Sequence, residues 1–340
     1  MSVIQPQSVL NGERIAVSRS LTQIENNTAE GLKLLEAFFP HTGKAHLIGV
    51  TGAPGTGKST LVNQLALAYR NPPNHEAPPK VAIIAVDPTS PFTGGALLGD
   101  RVRMQDLAGD PGIFIRSMAS RGSLGGLAAA TAGLVQVFDA AGFEIIIIET
   151  VGAGQAEVDI ARLAHSTLVI EAPGLGDEIQ TIKAGILEIA DILVVNKSDK
   201  PGSDNTLRAL RNMLSLAHPE IEPIMHHGEE MAIEPVENTK PDTGWIPSIL
   251  PTVATTGEGI PKLIEALTAH HSYLKSSGKW QEREKARLEN ELDTLLQRAL
   301  RSRWETKIPP DAYSKILSRV TNRKISPWKA VEELIQGAGL

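Results

Sequence analysis

The run Gly52-Ala53-Pro54-Gly55-Thr56-Gly57-Lys58-Ser59-Thr60 has the residue types and spacing needed to hold a polyphosphate. It fills every fixed position of G-x-x-x-x-G-K-[ST], a pattern that works mainly through its backbone. The glycines let successive N–H groups turn onto one anion, and a following helix presents its positive end to the same point. Lys58 is then placed to reach the β- and γ-phosphates, and the Ser59 hydroxyl to ligate Mg²⁺. The apolar run Leu47 to Val50 before the loop, and the helical spacing of Leu61, Leu65 and Ala68 after it, supply the strand–loop–helix frame.

Far downstream, Asn196-Lys197-Ser198-Asp199 directly follows the apolar run Ile192 to Val195. N-K-x-D after a strand reads guanine. Asp199 accepts from the base N1–H and its exocyclic amine, and adenine offers neither donor in that arrangement. A site built around such an acceptor rejects the wrong base by about 10⁴. Asn196 and Lys197 are expected to brace the loop and cover the ring, so GTP and GDP are the expected ligands. Ala254 to Gly259 stands where a final base loop would lie, with backbone N–H groups meeting the base oxygen. Val253 stands where serine is common, so Val253, Ala254 and Thr255 are given a backbone role only.

Two acids end apolar runs: Asp87 after Val81 to Val86, and Glu149 after Phe143 to Ile148. Ligands of doubly wound sheets bind beyond the carboxyl ends of the strands, so one or both acids should hold Mg²⁺, directly or through water. Glu149-Thr150-Val151-Gly152 has the form of D-x-x-G with glutamate first, and Gly152 would donate its N–H to the γ-phosphate. Between Asp87 and Arg103 lies a glycine-rich, switch-like stretch, Pro88 to Gly99. Asp100 and Arg103 share a helix face if a helix begins at Gly99. They read either as a surface pair or as Mg²⁺ and phosphate contacts, and their place in the first switch favours the latter. Ala153 stands where fast small GTPases carry a water-orienting glutamine, with Gln155 two residues on. Slow intrinsic turnover, accelerated by a partner, is the expectation.

Continuous rather than alternating apolar runs, separated by helical stretches, indicate a parallel sheet covered on both faces. The expected class is α/β, a P-loop NTPase of G-protein type with a mostly parallel sheet. Ile113 to Met118, Thr167 to Ala172 and Ile249 to Ala254 supply further strands. Gly126 to Ala140, Glu178 to Ala190, Leu207 to Leu216 and Ile260 to Leu274 supply helices. Residues 1–44 read as an N-terminal helical extension, with Leu21, Ile24, Leu32, Leu35, Ala37 and Phe38 at helical spacing. Residues 45–275 form the nucleotide domain, in which His218 to Trp245 reads as a surface excursion. Residues 276–340 form a helical arm: Leu288, Leu292, Leu295 and Leu296 make an apolar stripe flanked by charge, which suits an oligomer contact.

The 340 residues are 41% hydrophobic and 21% charged, enough apolar mass for a sizeable core. A net charge of −6 argues against nucleic acid as the main partner. Cysteine is absent, which excludes disulfides, thiolate nucleophiles and cysteine metal sites. No apolar run approaches the roughly eighteen residues of a membrane span. Met1 to Glu13 lacks the blocks of a signal peptide. A cytoplasmic protein away from membranes is expected.

Together the motifs resemble the MeaB/ArgK family, GTPases that chaperone adenosylcobalamin-dependent acyl-CoA mutases such as methylmalonyl-CoA mutase. The resemblance runs from about Gly43 to Leu274 and rests on Val86-Asp87-Pro88-Thr89-Ser90, Thr93-Gly94-Gly95 through Met104, Glu149 to Glu157, and Pro173 to Gln180 with Lys183. It implies that Ser59, Asp87, Asp100 and Glu149 surround Mg²⁺. It also implies that Gln180 and Lys183 belong to a switch that senses the mutase, and that homodimers form through the C-terminal helices. Adenosylcobalamin would belong to the partner. Pro91-Phe92, Ala153 and Ala156 depart from the family pattern in segments expected to touch the mutase, which keeps a related substrate such as 2-hydroxyisobutyryl-CoA in view. Two other readings are a nickel-delivery GTPase and a small-molecule or protein kinase. The first usually shows a His-rich tract, whereas the pairs His226-His227 and His270-His271 read as surface or capping residues. The second needs a substrate base apart from the nucleotide site.

Overall fold

The computed structural model describes residues 4–73, 77–87, 104–107, 109–119, 126–150, 155–174, 188–217 and 244–338. The chain divides into two compact units, Met1–Arg287 and Leu288–Leu340. Among the described residues the first is built on seven strands: β1 (His46–Thr51), β2 (Val81–Asp87), β3 (Ile113–Ala119), β4 (Ile145–Thr150), β5 (Ser166–Glu171), β6 (Ile192–Asn196) and β7 (Ser248–Thr252). Their order is β3-β2-β4-β1-β5-β6-β7, and every pairing is parallel. The strand that runs into the phosphate loop is therefore central, with the Glu149 strand on one side and β5 on the other.

Successive residues of a strand face opposite ways, so a run apolar at every position must be covered on both faces. The isoleucines of β4 show this directly. Ile146 and Ile148 pack in a cluster with Leu47, Ile84 and Phe138, while Ile147 packs on the other face with Ile48, Val50 and Leu65. The first face is covered by α1 (Pro6–Leu10), α2 (Arg14–Glu25), α3 (Ala29–Phe38), α5 (Gly126–Ala140) and α6 (Gln155–Leu163). The second is covered by α4 (Lys58–Arg70) and α8 (Ile260–Ser276). Val169, Leu193 and Val195 pack beneath Leu210 and Leu214 of α7 (Ser203–Ala217).

The N-terminal helices are integral to the core. Val17, Leu21, Ile24, Leu34 and Phe38 are buried in the same cluster as Ile84 and Ile146. Leu34 occupies the inner face expected of Leu32, which is half-exposed. Gly133 of α5 has to be small, because a Cβ there would stand 2.7 Å from Ile24 Cγ2. Thr28 caps α3 by accepting the Gly31 N–H at 3.0 Å. The helix expected over Glu178 to Ala190 lies largely outside the described residues, and Glu188 and Ile189 at its end form a turn.

The histidine pair at the end of α8 corrects a sequence expectation. His270 is fully buried and His271 partly buried, inside a polar cluster rather than on the surface. His226 and His227 lie outside the described residues.

The helix α9 (Lys279–Lys307) starts in the first unit and ends in the second, which also holds α10 (Ala312–Thr321) and α11 (Pro327–Gly337). In the second unit, Trp304 Nε1 donates to Leu334 O at 3.0 Å. Leu300, Trp304, Tyr313, Leu317, Val331 and Ile335 line an open apolar cleft of about 560 Å³. Among the described residues no helix is long and apolar enough to cross a membrane.

Candidate functional site

The motifs converge at the carboxyl edge of the sheet. β1 hands the chain to the phosphate loop, and Gly57, in the left-handed region with φ of 93°, opens α4. Two glycines here answer to close approaches. Gly52, with φ of 139°, lies against β5 so tightly that a Cβ would stand 2.1 Å from Ile170 O. A Cβ on Gly57 would stand 2.4 Å from Asn196 Nδ2. Only glycine fits both the dihedrals and the space.

The loop closes on itself. Thr56 Oγ1 donates to Ala53 O at 3.0 Å, and the buried ammonium of Lys58 donates to Gly52 O at 2.8 Å and Ala53 O at 3.0 Å. The lysine is thus held inside the loop's own curve. Ser59, one residue into α4, donates its hydroxyl to Glu149 Oε1 at 2.6 Å. That bond joins the phosphate-loop helix to the end of β4, and Glu149 is 4% exposed.

The base-reading motif is tied to the phosphate loop by two side chains. Asn196, at the end of β6 and buried, donates Nδ2–H to Thr56 O at 2.7 Å. Its Oδ1 accepts the Ala254 N–H at 3.0 Å and the Thr252 hydroxyl at 3.2 Å. One amide therefore fastens three loops together. Lys197, in the left-handed region with φ of 58°, donates Nζ–H to Gly55 O at 2.7 Å. Asp199 is half-exposed, 3.7 Å from Lys200 Nζ. The last loop is a tight turn in which Val253 N–H donates to Glu258 O at 3.0 Å, and Gly257 N–H and Thr256 N–H both reach Val253 O. The Val253 and Ala254 N–H groups are both engaged within this framework.

Ser59, Glu149, Lys58, Asn196, Lys197 and the loop Gly52 to Thr60 come together as the motifs require. Asp87 ends β2 beside β4, with Val86 paired to Thr150, and nothing is described of its side chain. Asp100, Arg103, Gly152, Gln180 and Lys183 lie outside the described residues. Sequence reasoning missed the part played by Thr252, whose hydroxyl orients the Asn196 amide. A threonine at the end of the last strand, just before the final base loop, was the available signal. It also missed that Gly57 is small because Asn196 lies over it.

The model of the family described as Methylmalonyl Co-A mutase-associated GTPase MeaB matches residues 17–308. A Pyrococcus abyssi protein that carries the name GTPase is 41% identical over 333 residues, covering 97% of this chain and 95% of its own. The mitochondrial methylmalonic aciduria type A homolog of Caenorhabditis elegans is 35% identical over 207 residues, 57% of this chain and 51% of that protein. Among solved structures, a LAO/AO transport system kinase superposes with a TM-score of 0.67 at 26% identity, covering 97% of this chain and 95% of the other. An N-K-x-D motif tied to a closed phosphate loop, on an all-parallel sheet, agrees with the family match over most of the length: the chain is a GTPase and belongs to the MeaB family.

Proposed function

We propose that this GTPase serves an adenosylcobalamin-dependent acyl-CoA mutase, binding and hydrolysing GTP to gate cofactor loading and to protect or reactivate the mutase. The observation that carries the reading is the family match over residues 17–308, in a chain whose phosphate and base loops are joined through Asn196. Methylmalonyl-CoA mutase is the partner named in the family description, and the C. elegans relative is named for methylmalonic aciduria. A mutase acting on a related acyl-CoA, such as 2-hydroxyisobutyryl-CoA, fits the same chemistry.

In this reading the phosphate-loop N–H groups and Lys58 hold the β- and γ-phosphates, Gly152 N–H meets the γ-phosphate, and Asp199 reads the base. Val253, Ala254 and Thr255 form the backbone wall beside it. The residues suit Mg²⁺: Ser59 and Glu149 already place a hydroxyl and a carboxylate oxygen 2.6 Å apart, the hard oxygen donors this ion prefers. Asp87 and Asp100 would complete the set, with Arg103 nearby. Mg²⁺ would there neutralise phosphate charge. A homodimer through the C-terminal helices belongs to the same proposal. The apolar cleft of the second unit and the exposed Leu292, Leu295, Leu296 and Leu300 support it. A cytoplasmic setting suits a soluble mutase as partner.

Gln180 and Lys183 are assigned to the partner-sensing segment that begins beyond Pro173-Gly174. Lys183, placed beside the γ-phosphate by docking, would add about 10²-fold, the worth of one preorganised electrostatic contact. The test is GTP hydrolysis with and without the mutase. Gln180→Ala and Lys183→Ala should remove most of the stimulated rate while GTP affinity stays within about twofold. Undiminished stimulation in both variants would take this segment out of the mechanism.

A further inference from the structure

At the opposite edge of the sheet, the amino ends of three strands meet the foot of α9. His46 opens β1, His165 precedes β5, which Ser166 opens, and Asp191 precedes β6. His270, His271, Tyr273 and Lys275 come from α8, and Lys279, Trp280, Arg283, Glu284 and Arg287 from α9. Asp139 of α5 faces Glu284 from the side, accepting the N–H groups of Gly43, Lys44 and Ala45 just before His46. His46, His165, Ser166, Asp191, His270 and Arg287 are buried, and none takes part in nucleotide chemistry.

The hydrogen bonds fix how the protons sit. His165 Nδ1 accepts the Leu47 N–H at 3.0 Å, so that nitrogen bears no proton. His165 Nε2 lies 2.6 Å from Glu284 Oε1, and a carboxylate can only accept, so Nε2 carries the hydrogen. The ring is complete when neutral. A second proton would set an N–H against the Leu47 N–H. His46 Nε2 and His270 Nδ1 both lie 2.7 Å from Ser166 Oγ, and the His46 ring stacks on His271 with centroids 4.4 Å apart. Charging both stacked rings would place two cations face to face in a buried space.

The carboxylates hold α9. Glu284 accepts from Arg287 Nε and Nη2, both at 3.0 Å. Asp191 accepts from Arg283 Nη1 and Nη2 at 2.8 and 2.7 Å and from Thr167 N–H at 2.8 Å, with His270 Nε2 3.3 Å away. Arg283 also donates to His165 O. Trp280 packs on His165, ring centroids 3.8 Å apart, and the Lys275 ammonium lies over the Trp280 ring, 5.3 Å from its centroid.

We propose that this buried histidine cluster is a proton-gated clamp on residues 279–287, closed while the imidazoles of His46, His165 and His271 are neutral and opened by proton uptake. The direction follows from where the imidazoles sit. Burial, then the neighbouring His271, His165, His270 and Lys275, hold His46 well below its usual value. Burial lowers His165 against the opposing pull of Glu284, and burial with Lys275 lowers His271 from 6.5 to about 4. An opened foot restores ordinary values, so the open form binds more protons and is favoured as pH falls from 6.5 towards 4. The carboxylates act in the same direction. Arg283 and His270 hold Asp191 at about 2 against its burial, and His165 and Arg287 do the same for Glu284, so their hold weakens only in stronger acid.

Hydrogen exchange in the full-length protein, from about pH 7 to about pH 4.5, tests the clamp, with intrinsic rates corrected for pH. Below about pH 6, protection of residues 279–287 should fall at least tenfold per pH unit, the slope of one proton, while residues 81–86 of β2 keep theirs. His271→Phe preserves the ring stack and removes one titrating group, so its slope should be shallower by about tenfold per pH unit. Flat protection of 279–287, loss only in step with 81–86, or an unchanged slope in H271F would each overturn the proposal.

Discussion

Replacing Asp199 with asparagine should turn the protein from guanine towards xanthine nucleotides. In the proposed base site the carboxylate would accept two hydrogens from guanine, each bond to a charged acceptor being worth about 1.5–3 kcal/mol. GTP affinity should therefore drop by about 10²–10⁴-fold in D199N. Xanthine carries an oxygen where guanine carries its amine, and the new amide can donate to it. XTP should bind D199N more tightly than GTP does, in a competition assay with a labelled nucleotide. The substitution should leave the fold intact, because Asp199 is half-exposed and its contact with Lys200 is a 3.7 Å surface pair. A D199N protein that still prefers GTP would move base reading elsewhere.

Lys58→Ala should abolish hydrolysis while leaving the protein folded. Removing one preorganised charge from a developing phosphate charge costs about 10²–10³-fold or more in rate. The stability cost is of another order. The ammonium donates to Gly52 O and Ala53 O, and a net hydrogen bond is worth about 1 kcal/mol. In a chain of this size that lowers the melting temperature by about 2–4 °C per kcal/mol. Single-turnover hydrolysis and a thermal melt check the two halves. A melt lowered by many degrees would mean that Lys58 acts as a structural residue.

What the sequence makes legible is local. Each nucleotide motif ends an apolar run, and the runs became parallel strands because they are apolar at every position, as Ile146, Ile147 and Ile148 show by packing on alternate faces. Ser59 and Glu149 are each read from their motifs as Mg²⁺ ligands, and the structure brings their oxygens together in a direct hydrogen bond. Contacts between distant segments leave no such trace. His165 meets Glu284 across 119 residues, and neither neighbourhood has a pattern that announces the other. For that reason His270-His271 read as surface or capping residues. The N-terminal register slipped for a related reason: Leu32 and Leu34 both fit an apolar helix, and only packing against α5 decides which one turns inward.

Asn196 joins Asp199's loop to the phosphate loop, and a site built this way should be specific for guanine. The most direct measurement is displacement of labelled GDP from the wild-type protein by GTP and by ATP in the presence of Mg²⁺. GTP should displace it at concentrations about 10⁴-fold lower than ATP, the discrimination expected when the bound base covers a carboxylate and the wrong base gives it no donors. Equal displacement by ATP and GTP would contradict the account.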